Sequence, residues 1–242
     1  LRTIFIQNFP SGFLGILMCF HFKQTIKEDS FKSQGIGGIL LTGVYNGFAH
    51  PKVSCITEVN PNNISNLSWG LIPEWSKTEE IKKYTLNARY ETLKEKPSFK
   101  NAMRCVIFAD GFYEWKREEK EKTPHYFTRK DSKPIFFAGI FEDDQFCLIT
   151  EEAKDNITEI HHRQPVIINQ TDVNRYLNLE LQGSAFLKEC SKPDLIFHEV
   201  SKDVKDILDI LHNISAKFNP IYISRRLASR RKISNELDIL EE

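Results

Sequence analysis

The chain of 242 residues lacks a cysteine framework: its five cysteines, at 19, 55, 105, 147 and 190, form an odd, scattered set with no C-x-x-C spacing. That excludes a disulfide-stapled scaffold and fits a reducing, intracellular compartment. Excess charge is also missing. Thirty-three basic residues cancel 33 acidic ones, so whole-chain electrostatics announce no nucleic-acid partner. No apolar run reaches the ~18–20 residues of a membrane span. The run Phe13–Phe20 is too short, and no small-x-small cleavage site follows it as in a secretory signal. No internal repeat is present, and helical periodicity is scarce.

Several short polar motifs stand inside otherwise apolar stretches: Asn87-Ala88-Arg89, Ala109-Asp110-Gly111-Phe112-Tyr113-Glu114-Trp115 and Ile160-His161-His162-Arg163-Gln164-Pro165, with Met18-Cys19 upstream. A thiol, an amide, a carboxylate and an imidazole together suit chemistry on an aldehyde. The chain begins with Leu1, and residues 1–17 read as a leader or upstream extension of a protein that starts at Met18. Residues 18–214 read as one domain. Residues 215–242, with Arg225-Arg226 and Arg230-Arg231-Lys232 before an acidic end, read as a flexible tail.

Ten segments rich in Val, Ile, Phe and Tyr between Gly, Pro, Asn and Asp read as strands: Cys19–Phe22, Lys52–Ile56, Leu67–Leu71, Met103–Ala109, Phe112–Trp115, His125–Arg129, Ile135–Phe141, Phe146–Thr150, Pro165–Ile168 and Leu195–Val200. Residues 116–124 read as an exposed hairpin tip, and Asp143-Asp144 as a second turn. Ser76-x-x-Glu79 signals a capping box opening a helix over 77–84. Val173–Asn178, Ser184–Cys190 and Asp203–His212 are further helical candidates. The expected fold is a single α+β domain with a curved, mostly antiparallel, barrel-like β core and short flanking helices.

Each motif has a bland reading beside its chemical one. Asp110-Gly111 reads as a turn, after which strand alternation puts Phe112 and Glu114 on one face and Tyr113 and Trp115 on the other. Glu114 is then a half-buried acid–base carboxylate or the partner of Arg89 or Lys116 in a salt bridge. His161 is a catalytic or a structural imidazole. Asn87-Ala88-Arg89 alone reads as a plain loop. Trp69 and Trp75 are stacking platforms for bases or core residues. Residues 76–104 carry eight Lys or Arg against four Glu, either a track for a phosphate backbone or a solvated face.

Taken together and in order, the motifs resemble the SRAP family of abasic-site processing proteins. That family's pattern runs Met-Cys, W-G-x-x-P-x-W, N-A-R-x-E-T, F-x-D-G-x-x-E-W, T-x-x-A, H-x-R-x-P and V-S-x-x-V. Here these stand as Met18-Cys19, Trp69–Trp75, Asn87–Thr92, Phe108–Trp115, Thr150–Ala153, His161–Pro165 and Val200–Val204. The resemblance covers about residues 18–205. It implies a protein that senses abasic sites in single-stranded DNA and forms a covalent crosslink through an N-terminal cysteine. Cys19 would be the nucleophile, Glu114 would handle protons, His161 would assist imine formation and Asn87 would position the Cys19 terminus. Arg89, Trp69, Trp75, Trp115, Thr150, Arg163 and Ser201 would contact DNA. It also implies autoproteolytic removal of Met18, action as a monomer, and no cofactor.

The chemistry is coherent from elementary principles. An abasic site equilibrates with a ring-opened sugar aldehyde. An α-amine, with a reference pKa of about 7.7–8.0 against about 10.4 for lysine, is far more often neutral at pH 7. It can form an imine that the same residue's thiol closes to a five-membered thiazolidine. An internal cysteine cannot do this, because its nitrogen is an amide. The sequence departs from the family pattern where Phe20-His21 replaces the usual Gly-Arg after the cysteine, and Gln164 is a milder change. A metal enzyme built on Cys19, His21, His161 and His162 is disfavoured, since no pair has ligand spacing. The remaining alternative is a degenerate, non-catalytic module that binds single-stranded DNA.

Overall fold

A computed structural model describes residues 21–26, 35–118, 121–178 and 192–204. Met18, Cys19, the Ser184–Cys190 helical candidate and most of Asp203–His212 lie outside the described residues. The described residues up to Ser201 form one compact unit, and Lys202–Val204 fall outside it.

Thirteen described strands make two sheets. β1 (His21–Gln24), β2 (Gly43–Asn46), β7 (Gly111–Glu118), β8 (Glu121–Arg129) and β13 (Leu195–Glu199) form one, in the order β13-β8-β7-β1-β2. Its pairs are all antiparallel. The other is built on β3 (Lys52–Thr57), β4 (Asn60–Trp69), β6 (Met103–Ala109), β9 (Ile135–Glu142) and β10 (Gln145–Glu152). β4 pairs with β3, β3 with β6, β6 with β9 and β9 with β10, and β10 returns to β4 through Gln145↔Ser68 and Phe146↔Trp69. The sheet therefore closes on itself, which is the barrel-like core expected. β5 (Asn87–Arg89) and β11 (Arg163–Pro165) extend it along β10, and β12 (Ile167–Ile168) pairs with β9.

Burial explains the central strands. β9, Ile-Phe-Phe-Ala-Gly-Ile-Phe-Glu, is buried over its first seven residues, because elements cover both faces and a continuous apolar run is then stable. One face of the ring packs against the five-stranded sheet through Phe22, Phe112 and Phe127, meeting Trp69, Phe137 and Leu148. The other face packs under α1 (Val173–Leu177) through Val173, Tyr176 and Leu177.

Several local expectations are corrected. The 116–124 tip is mostly strand: β7 runs to Glu118 and β8 begins at Glu121, since pairing down the ladder holds charged residues extended. Asp110-Gly111 does not fold β7 back along β6; the chain passes there from the closed sheet to the other. The 77–84 helix is a 3₁₀ turn over Glu79–Tyr84, and its N-cap is Thr78, whose hydroxyl accepts from the Glu80 N–H. β5 stands where a plain loop was one reading, and β2 lies in a stretch for which no element was expected. β4 begins seven residues before the expected Leu67, a polar strand held by pairing with β3 that overrides its weak propensity.

Candidate active site

The Asp-Gly of the longest motif is structural. Asp110 Oδ2 accepts from the Thr25 N–H at 2.5 Å and the Thr25 hydroxyl at 2.8 Å, tying the end of β1 to the corner between sheets. A Cβ on Gly111 would lie 2.4 Å from the Phe127 carbonyl oxygen and 2.5 Å from the Tyr126 ring, so no larger residue fits without displacing β8. The buried Gln24 amide donates to the carbonyls of Ser54 at 2.9 Å and Phe108 at 2.7 Å. Thus the C-terminal end of β1, which starts two residues after Cys19 in sequence, is anchored to β3, to β6 and to the Asp110 corner.

Beyond that corner the pleat works as expected. Phe112 enters the core between the sheets, and Glu114 lies on the same face, 4 % exposed. Lys116 bonds Glu118 at 2.8 Å, and Arg89 is exposed and forms no ion pair among the described residues, so neither is the salt-bridge partner of Glu114. Tyr113 faces the other way against Tyr126, with ring centroids 4.6 Å apart. Burial, with the Asp110 charge nearby, pushes its phenol up to about 12.

Asn87 enters from the opposite layer. β5 runs parallel to β10 with Asn87↔Leu148, Ala88↔Ile149 and Arg89↔Thr150. Paired residues share a face, so Asn87 and Arg89 lie on the side of Leu148, which packs into the inter-sheet core with Phe112, while Ala88 packs on the far side. His161 follows a 3₁₀ turn, Asp155–Glu159, whose Ile157 and the next residue, Ile160, belong to that same core. The His161 ring is buried; its Nδ1 lies 3.0 Å from the Arg163 carbonyl and 3.2 Å from the Arg163 N–H. The backbone of Arg163 thereby fixes the ring's orientation. Asn87 and Glu114 thus stand on faces turned to the layer between the sheets, and His161 is buried directly after Ile160 of that core. Next to it lies a cavity of about 380 Å³ lined by Lys116, Arg117, Thr158, His161 and His162. Lys116 follows Glu114 by one pleat on the same strand face.

Three of the expected DNA contacts are interior. Trp69 is fully buried, donates its indole N–H to the Leu86 carbonyl at 2.9 Å and stacks on Phe146; it offers no face to a base. Arg163 is buried and binds Glu91 through both arms, at 2.6 and 2.9 Å, and donates to the Thr150 carbonyl at 2.7 Å. Thr150 is fully buried. Each of these side chains is held by protein groups. Burial pulls the Glu91 pKa up, but the Arg163 guanidinium outweighs it and holds the carboxyl below its usual value. Trp75 is 58 % exposed. Trp115 is partly buried, 4.9 Å from the His21 ring. Ser201 is exposed. In the basic segment Lys82 pairs with Glu79 and Arg104 donates to the Tyr176 carbonyl, while Lys77, Lys83, Arg89, Lys94, Lys96 and Lys100 are exposed. The sequence reading missed Glu91 as the anchor of Arg163, although both stand in the motifs. It also missed His125, paired with Glu114.

Residues 18–207 match the family described as SOS response associated peptidase (SRAP). The chain belongs to the SRAP family. It is 36 % identical over 159 residues to abasic site processing protein YoqW of Bacillus subtilis, covering 59 % of this chain and 71 % of that protein. To abasic site processing protein YedK of Escherichia coli it is 30 % identical over 153 residues, covering 58 % and 67 %. To abasic site processing protein HMCES of Gallus gallus it is 27 % identical over 182 residues, covering 60 % and 54 %. A crystal structure of a Bacteroides thetaiotaomicron protein superposes with a TM-score of 0.70 at 28 % identity, covering 78 % of this chain and 94 % of that one. The SRAP match spans Met18-Cys19 and every motif through Val200–Val204. No helix among the described residues is long and apolar enough to cross a membrane.

Proposed function

We propose that this SRAP chain acts on abasic sites in single-stranded DNA, as a monomer inside the cell, and captures them covalently on Cys19. The observation that carries the reading is that Asn87 and Glu114, from two separate motifs, stand on strand faces turned to the layer between the sheets, with buried His161 directly after Ile160 of that core. β1 leads out of that layer toward Cys19 in sequence.

The reaction balances with the groups at hand. The neutral α-amine of Cys19 adds to the sugar aldehyde carbon, and the carbinolamine loses water to give an imine. Glu114 delivers the proton that leaves with that water, and His161 assists ring opening. The thiol sulfur then adds to the imine carbon while its proton passes to nitrogen, closing the thiazolidine. Asn87 holds the Cys19 terminus or the sugar by hydrogen bonds. Arg89 suits a phosphate, the exposed lysines of 77–100 extend a cationic track, and Trp75 offers a stacking surface. Freeing the amine requires hydrolysis of the Met18–Cys19 amide, and the same Glu and His are suited to it.

Protein whose first residue is Cys19 should form a heat-stable adduct with single-stranded DNA carrying an abasic site and none with intact DNA. Cys19→Ser should give only a reversible imine, trapped by borohydride. Equal crosslinking by chain that retains residues 1–18 would show that the α-amine is not the reacting group. Non-covalent binding without any adduct would instead favour the degenerate binding module, to which Phe20-His21 points.

A further inference from the structure

The cavity of about 380 Å³ shares His161 with the candidate site; its other walls are Lys116 and Arg117, near the end of β7, and the turn Thr158–His162. Small-ligand sites run to about 300–1,000 Å³, so it is large enough for a guest. Backbone bonds fix the turn. The N–H groups of Ile160 and His161 donate to the Ile157 carbonyl at 3.0 and 2.9 Å, and the Ala153 N–H donates to the His162 carbonyl at 3.0 Å. Ile160 alone among the lining residues is apolar, and it is buried in the core. Such walls offer a base nothing to stack on. Their charges are unequal in kind. Lys116 answers two acids: its ammonium bonds Glu118 at 2.8 Å, and the Glu159 carboxylate acts on it electrostatically. Arg117 is exposed and forms no ion pair among the described residues, and its neighbour across the β7–β8 ladder is a second exposed cation, Lys122. Like charges directly opposed are unfavourable, and an anion beside Arg117 relieves them.

We propose that this cavity is a subsite for an internucleotide phosphate of the bound strand, with Arg117 as its ligand and His162 at its edge. The planar guanidinium fork matches phosphate oxygens. The His162 ring is exposed and lies 4.5 Å from the His161 ring, so a phosphate between Arg117 and His162 leaves its sugar beside His161. Arg89 rises from β5, on the closed sheet, whereas Arg117 rises from β7, on the five-stranded one. The two phosphates that flank one abasic sugar thus meet cations from different sheets.

The subsite rests on the proposed action on single-stranded DNA, and its test needs no crosslink. The full chain is titrated, by fluorescence anisotropy, with single strands carrying tetrahydrofuran, an abasic analogue that cannot form an imine. Arg117→Ala should weaken binding about fivefold at 0.1 M salt, the size of one phosphate contact on a slope of about 0.7 per decade. Glu159→Gln, which removes the acid at the rim, should tighten it. Each flanking phosphate is then replaced in turn by a neutral methylphosphonate. Both replacements should weaken binding to wild type. At one of the two positions the loss should vanish in Arg117→Ala, and at the other it should persist, the non-additivity expected only of groups in contact. Losses that persist in Arg117→Ala at both positions overturn the subsite, whether or not the protein captures abasic sites. Coupling at one position, with no adduct formed on a true abasic site by protein starting at Cys19, overturns the crosslinking function and leaves the subsite standing. A wild-type chain that binds none of these strands overturns both.

Discussion

Two regions of the molecule bury acids and bases in different ways. Along β10, buried Arg163 is held by the half-exposed Glu91 and by buried Thr150 in a set of bonds that leaves the ion pair fixed. Across β7 and β8, buried Glu114 stands opposite His125 in strand register. Both regions came from motifs in which charged residues interrupt apolar runs. Burial of a charge is therefore no guide to chemistry by itself; what matters is whether its neighbour holds it in one protonation state. A guanidinium always does. An imidazole does not.

Paired substitutions sharpen that contrast most. Glu114→Gln should slow crosslinking by about 10²–10⁴-fold, the usual worth of a general acid–base group, with the melting temperature little changed. Glu91→Gln should do the reverse: it leaves the Arg163 charge undercompensated, for about 2 kcal/mol, the half-exposed position of Glu91 discounting a larger figure. That corresponds to a melting point about 4–8 °C lower. The sign with pH follows from the depressed Glu91 pKa: its contribution is present above the ordinary value of 4.5 and lost as pH falls below it. Melting curves at pH 7 and pH 3 should therefore differ more in wild type than in Glu91→Gln. Comparable loss of crosslinking rate in both variants at equal stability would erase the distinction between the regions.

A smaller effect tests the exposed cation beside the fixed one. Arg89 and Arg163 both stand on strands flanking β10, yet Arg89 is solvent-facing and Arg163 is enclosed. If Arg89 holds a phosphate, Arg89→Ala should weaken single-stranded DNA binding a few-fold. It should also reduce the salt slope by about 0.7, the value for one released contact. A slope unchanged in Arg89→Ala would remove Arg89 from the interface.

How far the sequence could be read depended on whether a signal was local. Strands such as Met103–Ala109 and Ile135–Glu142 announce themselves because both faces are apolar. The closed ring was foreseen in kind, but not the strands that complete its edges. Asn87–Arg89 has three residues and no alternation to detect, and Asn60–Ser65 is polar, held by its partner strand. The face shared by Phe112 and Glu114 followed from period two alone. Trp69 against Trp75 did not, since an indole buried among Phe22 and Phe146 and one left in solvent look alike in a motif. The partner of Arg163 was hidden for a related reason: Glu91 lies 72 residues away. His125 became visible only once the β7–β8 register was known.

The smallest effect at neutral pH concerns the other face of the same sheet, where Tyr113 sits back to back with Glu114. Burial, aided by the Asp110 charge, raises its phenol to about 12, so the folded chain favours the protonated form. A raised pKa contributes stability that is complete below the unfolded value of about 10 and is lost as pH climbs toward 12. Near pH 11 the unfolded phenol is mostly ionised and the folded one mostly not, a difference of about 1.4 kcal/mol against folding. Tyr113→Phe removes that term, so its stability should fall less steeply than that of wild type between pH 10 and 12, with no difference traceable to ionisation at pH 7. An absorbance titration should show one fewer late-ionising phenol in the variant. Crosslinking at pH 7 should be unaffected, because the phenol and Glu114 lie on opposite sides of the strand. Loss of crosslinking in a folded Tyr113→Phe protein would mean that the two faces of β7 are not independent, and that the working surface extends through the sheet.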